Sequence, residues 1–173
     1  QLHLRLRELG FRDGAAALNN LRRLVSETPL SPLPRTLLAD AAGSADPDMA
    51  LNQFERVAAA AISRPSFYTI LDARPEVCHE VIRLLAVSPF LADILVRNPT
   101  FFHYLFETPG LLTMEIPADR LLADLRRGIA VFRTPETKFN ALRRLVRREL
   151  LRLGASDIAG GADILTVARG LSD

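Results

Sequence analysis

Apolar residues recur along this chain at intervals of three and four, the spacing that gathers them on one face of a helix. Leu18, Leu21 and Val25 follow it, and so do Phe139, Leu142, Val146, Leu150 and Leu153. Strict alternation, the mark of a half-buried strand, occurs only at Leu2-His3-Leu4-Arg5-Leu6-Arg7, where Leu2, Leu6 and Leu9 fit a helix equally well. There is no Asn-Gly hairpin signal, and β-branched residues are not clustered. The pattern predicts an all-α fold, a multi-helix bundle of about ten short-to-medium helices.

The eleven prolines support this reading. Pro47, Pro65, Pro75, Pro89, Pro99 and Pro135 each open a stretch with helical spacing. Proline at the first helical position wastes no hydrogen bond, and its φ is already helical. Asp46, Ser88, Asn98 and Thr134 precede such prolines and suit N-caps, because their side-chain oxygens can accept from unpaired amides. Helices are expected at about 1–9, from Asp13 onward, at 35–42, 46–61, 65–73, 75–87, 89–97, 99–107, 118–132 and 135–153, and from Gly161 to the end. Gly10 and Gly154 are read as helix stops. On the longest helix the stripe from Phe139 to Leu153 is expected to be buried. The segment 1–45 is set apart as an N-terminal helical segment, and 46–173 as one helical domain.

The chain has 173 residues, 49% hydrophobic and 24% charged, which excludes intrinsic disorder. Its longest stretches without Asp, Glu, Lys or Arg are nine residues, Leu84–Ala92 and Asn98–Phe106. A membrane span needs about 20 apolar residues, so none is expected. The chain starts at Gln1 without a signal-peptide pattern and stops at Asp173, which leads to the expectation of a piece of a longer protein. One cysteine, Cys78, cannot form an internal disulfide, and a cytoplasmic setting is the default.

Candidate chemistry is sparse. His3, His79 and His103 show no i, i+3 or i, i+4 pairing, so no metal site is expected. Cys78 lies early in a helix, where the dipole could lower its pKa, yet a partly buried structural cysteine is the expected reading. Gly160-Gly161 lacks the further glycines, the Lys-Ser/Thr ending and the preceding strand of a phosphate loop, and is read as a turn. No catalytic, cofactor-binding or metal residue is assigned.

The clearest electrostatic feature lies between Arg126 and Arg152. Nine basic residues there face only Glu136 and Glu149, a net charge of +7 within a chain of net +2. Arg143, Arg144, Arg147 and Arg148 are the candidate partner or domain contact. Phosphates of a nucleic acid are the alternative ligand, and binding would then weaken steeply with salt. No exposed aromatics are expected among these basic residues, and the rest of the chain is net negative, which disfavours nucleic acid.

Three stretches resemble one family. Asp46-Pro47-Asp48-Met49-Ala50-Leu51-Asn52-Gln53-Phe54-Glu55-Arg56 is similar to its "DPD-x-AL-x-x-F/L-x-R" helix. Residues Leu84 to Pro99, around Ser88-Pro89-Phe90-Leu91-Ala92, resemble its "L-SPFLA-LL-R-P" segment, and Arg148 to Gly160 its "R-E-LRI-x-x-x-DL-G" stretch. The helix expected over Asp163 to Asp173 resembles the family's "V-x-x-x-LS" helix. The family is the bacterial glutamine synthetase adenylyltransferase, or glutamate–ammonia-ligase adenylyltransferase. The resemblance covers about 46–173.

The resemblance implies a parent enzyme that adds AMP to a tyrosine of glutamine synthetase and removes it by phosphorolysis, using ATP and Mg. It implies glutamine synthetase and the PII signal protein as partners of that parent. The family's glycine-rich loop and acidic "S-D-x-D" pair have no counterpart in this chain. The expectation is therefore a non-catalytic helical region leading into a nucleotidyltransferase domain, serving docking and substrate positioning, with no adenylyl transfer of its own.

Overall fold

The structure is a computed structural model that describes residues 2–108 and 110–160. The described residues form ten α-helices and no strand. They are α1 (Leu2–Glu8), α2 (Gly14–Glu27), α3 (Leu33–Ala42), α4 (Pro47–Ala60) and α5 (Arg64–Ala73), followed by α6 (Pro75–Val87), α7 (Pro89–Arg97), α8 (Thr100–Glu107), α9 (Ala118–Ala130) and α10 (Pro135–Ile158). The helix expected from Gly161 onward lies outside the described residues.

Local chemistry sets most starts. Asp46 accepts from the Met49 amide at 3.0 Å, Ser88 from Leu91 at 3.2 Å and Thr134 from Thr137 at 3.3 Å. Ser63 caps α5 by accepting from Ser66 at 3.3 Å, so that helix starts at Arg64, one residue before its proline. The Asn98 amide donates to the Ile94 carbonyl at 3.1 Å and so also ties the end of α7. α3 begins two residues earlier than its spacing suggests, because the Ser31 hydroxyl accepts from the Leu33 amide at 3.0 Å.

α1 stops where glycine permits a left-handed turn. Gly10 has φ 93°, the Gly10 amide donates to Arg7 and the Phe11 amide to Leu6, the paired closure of a Schellman motif. Phe11 and Leu6 are both buried, as that motif's apolar contact requires. Gly154, by contrast, does not stop α10, which continues to Ile158. An interior glycine costs a helix about 1 kcal/mol. Side chains beyond it reverse the balance: Leu151 and Ala155 are buried, and Ser156 hydrogen-bonds the Leu112 carbonyl.

The chain divides into two compact units, Gln1–Phe102 and His103–Asp173. In the first, α6 is the central helix, packed on α3, α4, α5 and α7. Seven of its thirteen residues are buried, among them Val81, Ile82, Leu84 and Leu85. Each such side chain stabilises by roughly 1.5–3 kcal/mol relative to exposure. Fully buried alanines at 41, 50, 58 and 92 let neighbouring helices approach closely. Phe54, Phe67, Tyr68 and Phe102 form an aromatic cluster, with Phe67 and Phe102 edge to face at 4.8 Å between centroids. The α4 start also holds the α2 start, since Asp48 accepts from the Arg12 and Asp13 amides at 2.7 and 3.1 Å. The loop at 43–46 joins α3 to α4 inside this unit.

In the second unit α9 and α10 form a helical hairpin joined by residues 131–134. α10 has 24 residues, about 36 Å of helix, and α9 has 13, about 20 Å.

Candidate docking surface on the last two helices

The two helices of the hairpin are amphipathic, yet neither buries its apolar face fully. α9 has no buried residue, although Leu121, Leu122, Leu125 and Ile129 recur on one side. Leu122 is 50% exposed. On α10 the stripe expected to be buried is largely open. Phe139 is 61% exposed, Val146 47% and Leu142 36%, whereas Leu150 and Leu153 are half-buried. Among the described residues α9 is the helix packed against α10, and 13 residues cannot cover a 24-residue partner. Leu121, Leu125, Leu145, Val146, Leu150 and Leu153 line a mostly apolar cavity of about 190 Å³, with Asp124, Arg148 and Glu149 at its polar edge.

The residues of α10 that are buried are Glu149, Leu151, Arg152, Ala155 and Ser156. Three of these are polar: Glu149 and Arg152 pair with each other, and the Ser156 hydroxyl donates to the Leu112 carbonyl. Glu149 Oε2 accepts from Arg152 Nε at 2.8 Å. Its Oε1 accepts from Arg148 at 3.1 and 3.0 Å and from the Tyr104 hydroxyl at 3.3 Å. Arg152 also donates to the Met114 carbonyl at 3.2 Å. The Arg148 guanidinium stacks over the Tyr104 ring, 4.4 Å from its centroid. Burial, and then the neighbouring Glu149 charge, push the Tyr104 hydroxyl pKa up. This network pins α10 to α8 and to the segment following it. The sequence signal for it is the Glu149–Arg152 spacing of three, which apolar periodicity passes over.

The four candidate contact residues do not share one environment. Arg143, Arg144 and Arg147 are exposed on α10. Arg148 is turned inward, with its side chain 24% exposed and bonded to Glu149. Arg126, Arg127, Arg133 and Lys138 are exposed as well, and Arg127 pairs with Asp124 on α9.

Elsewhere the candidate residues sit apart. His79 lies 3.3 Å from Asp40, and His103 2.9 Å from Glu107. Cys78 is wholly rather than partly buried, and burial pushes its thiol pKa up to about 12. Among the described residues no three His, Cys, Asp or Glu side chains converge as a metal site would need, and no helix is long and apolar enough to cross a membrane.

A family model described as glutamate-ammonia ligase adenylyltransferase matches residues 78–173. A curated relative from Corynebacterium efficiens is described as a bifunctional glutamine synthetase adenylyltransferase/adenylyl-removing enzyme. It is 28% identical over 175 residues, covering 98% of this chain and 17% of its own length. This chain thus spans under a fifth of that relative. No solved structure matches.

Proposed function

The chain belongs to the glutamate-ammonia ligase adenylyltransferase family, and from that premise we propose that it is a non-catalytic helical region of an enzyme that adenylylates and deadenylylates glutamine synthetase. The Corynebacterium efficiens relative, described as both adenylyltransferase and adenylyl-removing enzyme, supports both directions of that chemistry. In this reading the region docks the adjacent nucleotidyltransferase domain and helps to position the protein substrate. ATP and Mg belong to that neighbouring domain, and PII acts on the parent enzyme rather than on a site assigned within these residues.

One observation carries the docking role: α10 exposes Phe139, Leu142 and Val146 together with Arg143, Arg144 and Arg147. Apolar groups supply the contact energy, while arginines pair bidentately with carboxylates and set orientation. Exposed ion pairs contribute only about 0–1 kcal/mol each, so the arginines steer more than they bind.

The test is charge reversal in the parent enzyme. Arg143→Glu with Arg147→Glu is expected to slow its association with glutamine synthetase, or to loosen the contact with the nucleotidyltransferase domain, while the melting temperature of the 173-residue chain changes little. Unaltered association and an unaltered domain contact would sink the docking role. Tight, salt-sensitive binding of the wild-type chain to duplex or single-stranded nucleic acid would replace it. Incubated with glutamine synthetase, Mg and labelled ATP, the 173-residue chain is expected to transfer no label.

A further inference from the structure

We infer that the groove between α9 and α10 is the seat of one further helix of the same polypeptide, outside the described residues, with an apolar stripe flanked by carboxylates. The inference rests on reading the chain as part of a larger enzyme, and it narrows the docking role to a permanent intramolecular cover.

Three observations point to a permanent occupant. The first is that α9 buries nothing fully, although its leucines recur on one face. An isolated helix of 13 residues is marginal in water and depends on packing for stability. A face that its own helix needs in order to fold is covered all the time, not on encounter with a substrate. The second is the concentration of exposed apolar bulk: Leu122, Val131, Phe132, Phe139, Leu142 and Val146 fall within 25 residues. Soluble surfaces tolerate such residues singly, and their clustering marks an interface. The third is shape. The cavity is lined by leucines and a valine from both helices, and α9 offers about 20 Å of groove, the length of three to four helical turns. This is the geometry in which an amphipathic helix is received.

Charge specifies the flanks of the occupant. The segment 126–152 carries nine basic and two acidic residues, and one of those acids, Glu149, is already shared by Arg148 and Arg152. A cover carrying Asp or Glu beside its apolar stripe meets Arg143 and Arg147, whereas a basic cover is repelled. An identical copy presenting the same face would bring two positive surfaces together, which argues against self-association. With 83% of the relative's length lying outside the match, such a helix has ample sequence from which to come.

The experiment uses the parent polypeptide without glutamine synthetase. Single substitutions Phe139→Cys and Val146→Cys are treated with a maleimide, and labelling at each site is read by mass spectrometry against the same protein unfolded in urea. The expected result is labelling slowed about tenfold or more at both sites, independent of protein concentration, as for positions that react only after local opening. Labelling within about threefold of the unfolded rate overturns the inference. Protection that appears only on adding glutamine synthetase assigns the groove to the substrate and also overturns it. Protection that grows with protein concentration assigns it to a second copy, with the same consequence. Hydroxyl-radical footprinting of Phe139 in the wild-type parent gives the same reading if a variant fails to fold. Adenylyl transfer to glutamine synthetase is assayed separately on the wild-type preparation. A covered groove in a polypeptide without transfer activity defeats the enzymatic reading alone, and an open groove in an active enzyme defeats only the helix.

Discussion

Replacing Glu149 by glutamine removes one negative charge and leaves almost every atom in place. The carboxylate is 11% exposed and serves three donors: Arg148, Arg152 and the Tyr104 hydroxyl. Arg152 is more deeply set, its side chain 7% exposed, and its other bond goes to the Met114 carbonyl. Removing one partner of a buried pair costs about 3–5 kcal/mol, because the remaining charge stays desolvated. Arg148, 24% exposed, can turn toward water, whereas Arg152 has less freedom, so a loss of about 3 kcal/mol is expected for Glu149→Gln. Against the 5–15 kcal/mol that holds a typical domain, that is a large fraction. Urea unfolding followed by circular dichroism measures it, and hydrogen exchange across α10 and residues 110–116 localises it. The double variant Glu149→Leu with Arg152→Met removes both charges, and it is expected to recover at least half of the loss. A Glu149→Gln loss below about 1 kcal/mol, or a double variant worse than the single, would refute the assignment of this network as a buried ionic tie.

Three further outcomes are expected. Gly14→Ala places a Cβ 2.6 Å from the His3 carbonyl oxygen, so α1 must shift off α2, and thermal melting should show a loss of about 1–3 kcal/mol rather than the small gain of a tolerated glycine replacement. Asp46→Ala should cost about 1 kcal/mol near neutral pH by removing a helix cap. The Met49 amide, and then Arg12, hold the Asp46 carboxyl below its usual range, so its stabilisation is present above the unfolded pKa of 3.8 and is lost as pH falls through the folded value. The gap between wild type and Asp46→Ala should therefore close in acid, and a constant gap would contradict the argument. At the alkaline end, burial raises the Tyr68 hydroxyl and the Cys78 thiol to about 12 each, from 10.0 and 9.0. The unfolded chain releases these protons first, so stability is complete below about 9 and falls as pH climbs toward 12. Cys78→Ala should flatten the earlier part of that fall, and an unchanged slope would exclude the thiol as its source.

What was legible in the sequence was what a few adjacent residues decide. Asp46, Ser88 and Thr134 cap helices within three residues of themselves, and the prolines after them fix the first turn, so those starts follow from local chemistry. Gly154 shows where local chemistry loses. Its cost is about 1 kcal/mol, and the buried Leu151 and Ala155 with the Ser156–Leu112 bond outweigh it from a distance in sequence that periodicity does not register. The same limit governs α10 as a whole. Spacing identifies Phe139, Leu142, Val146, Leu150 and Leu153 as one face, but it says nothing of what lies against that face. The protein instead buries a second face, Glu149, Arg152 and Ser156, through polar bonds that no apolar count detects. α10 therefore carries two faces with different duties. One is closed by an ionic network inside its own unit. The other is apolar and arginine-flanked, and among the described residues it is open, so its spacing reports a face suited to burial without reporting what would cover it.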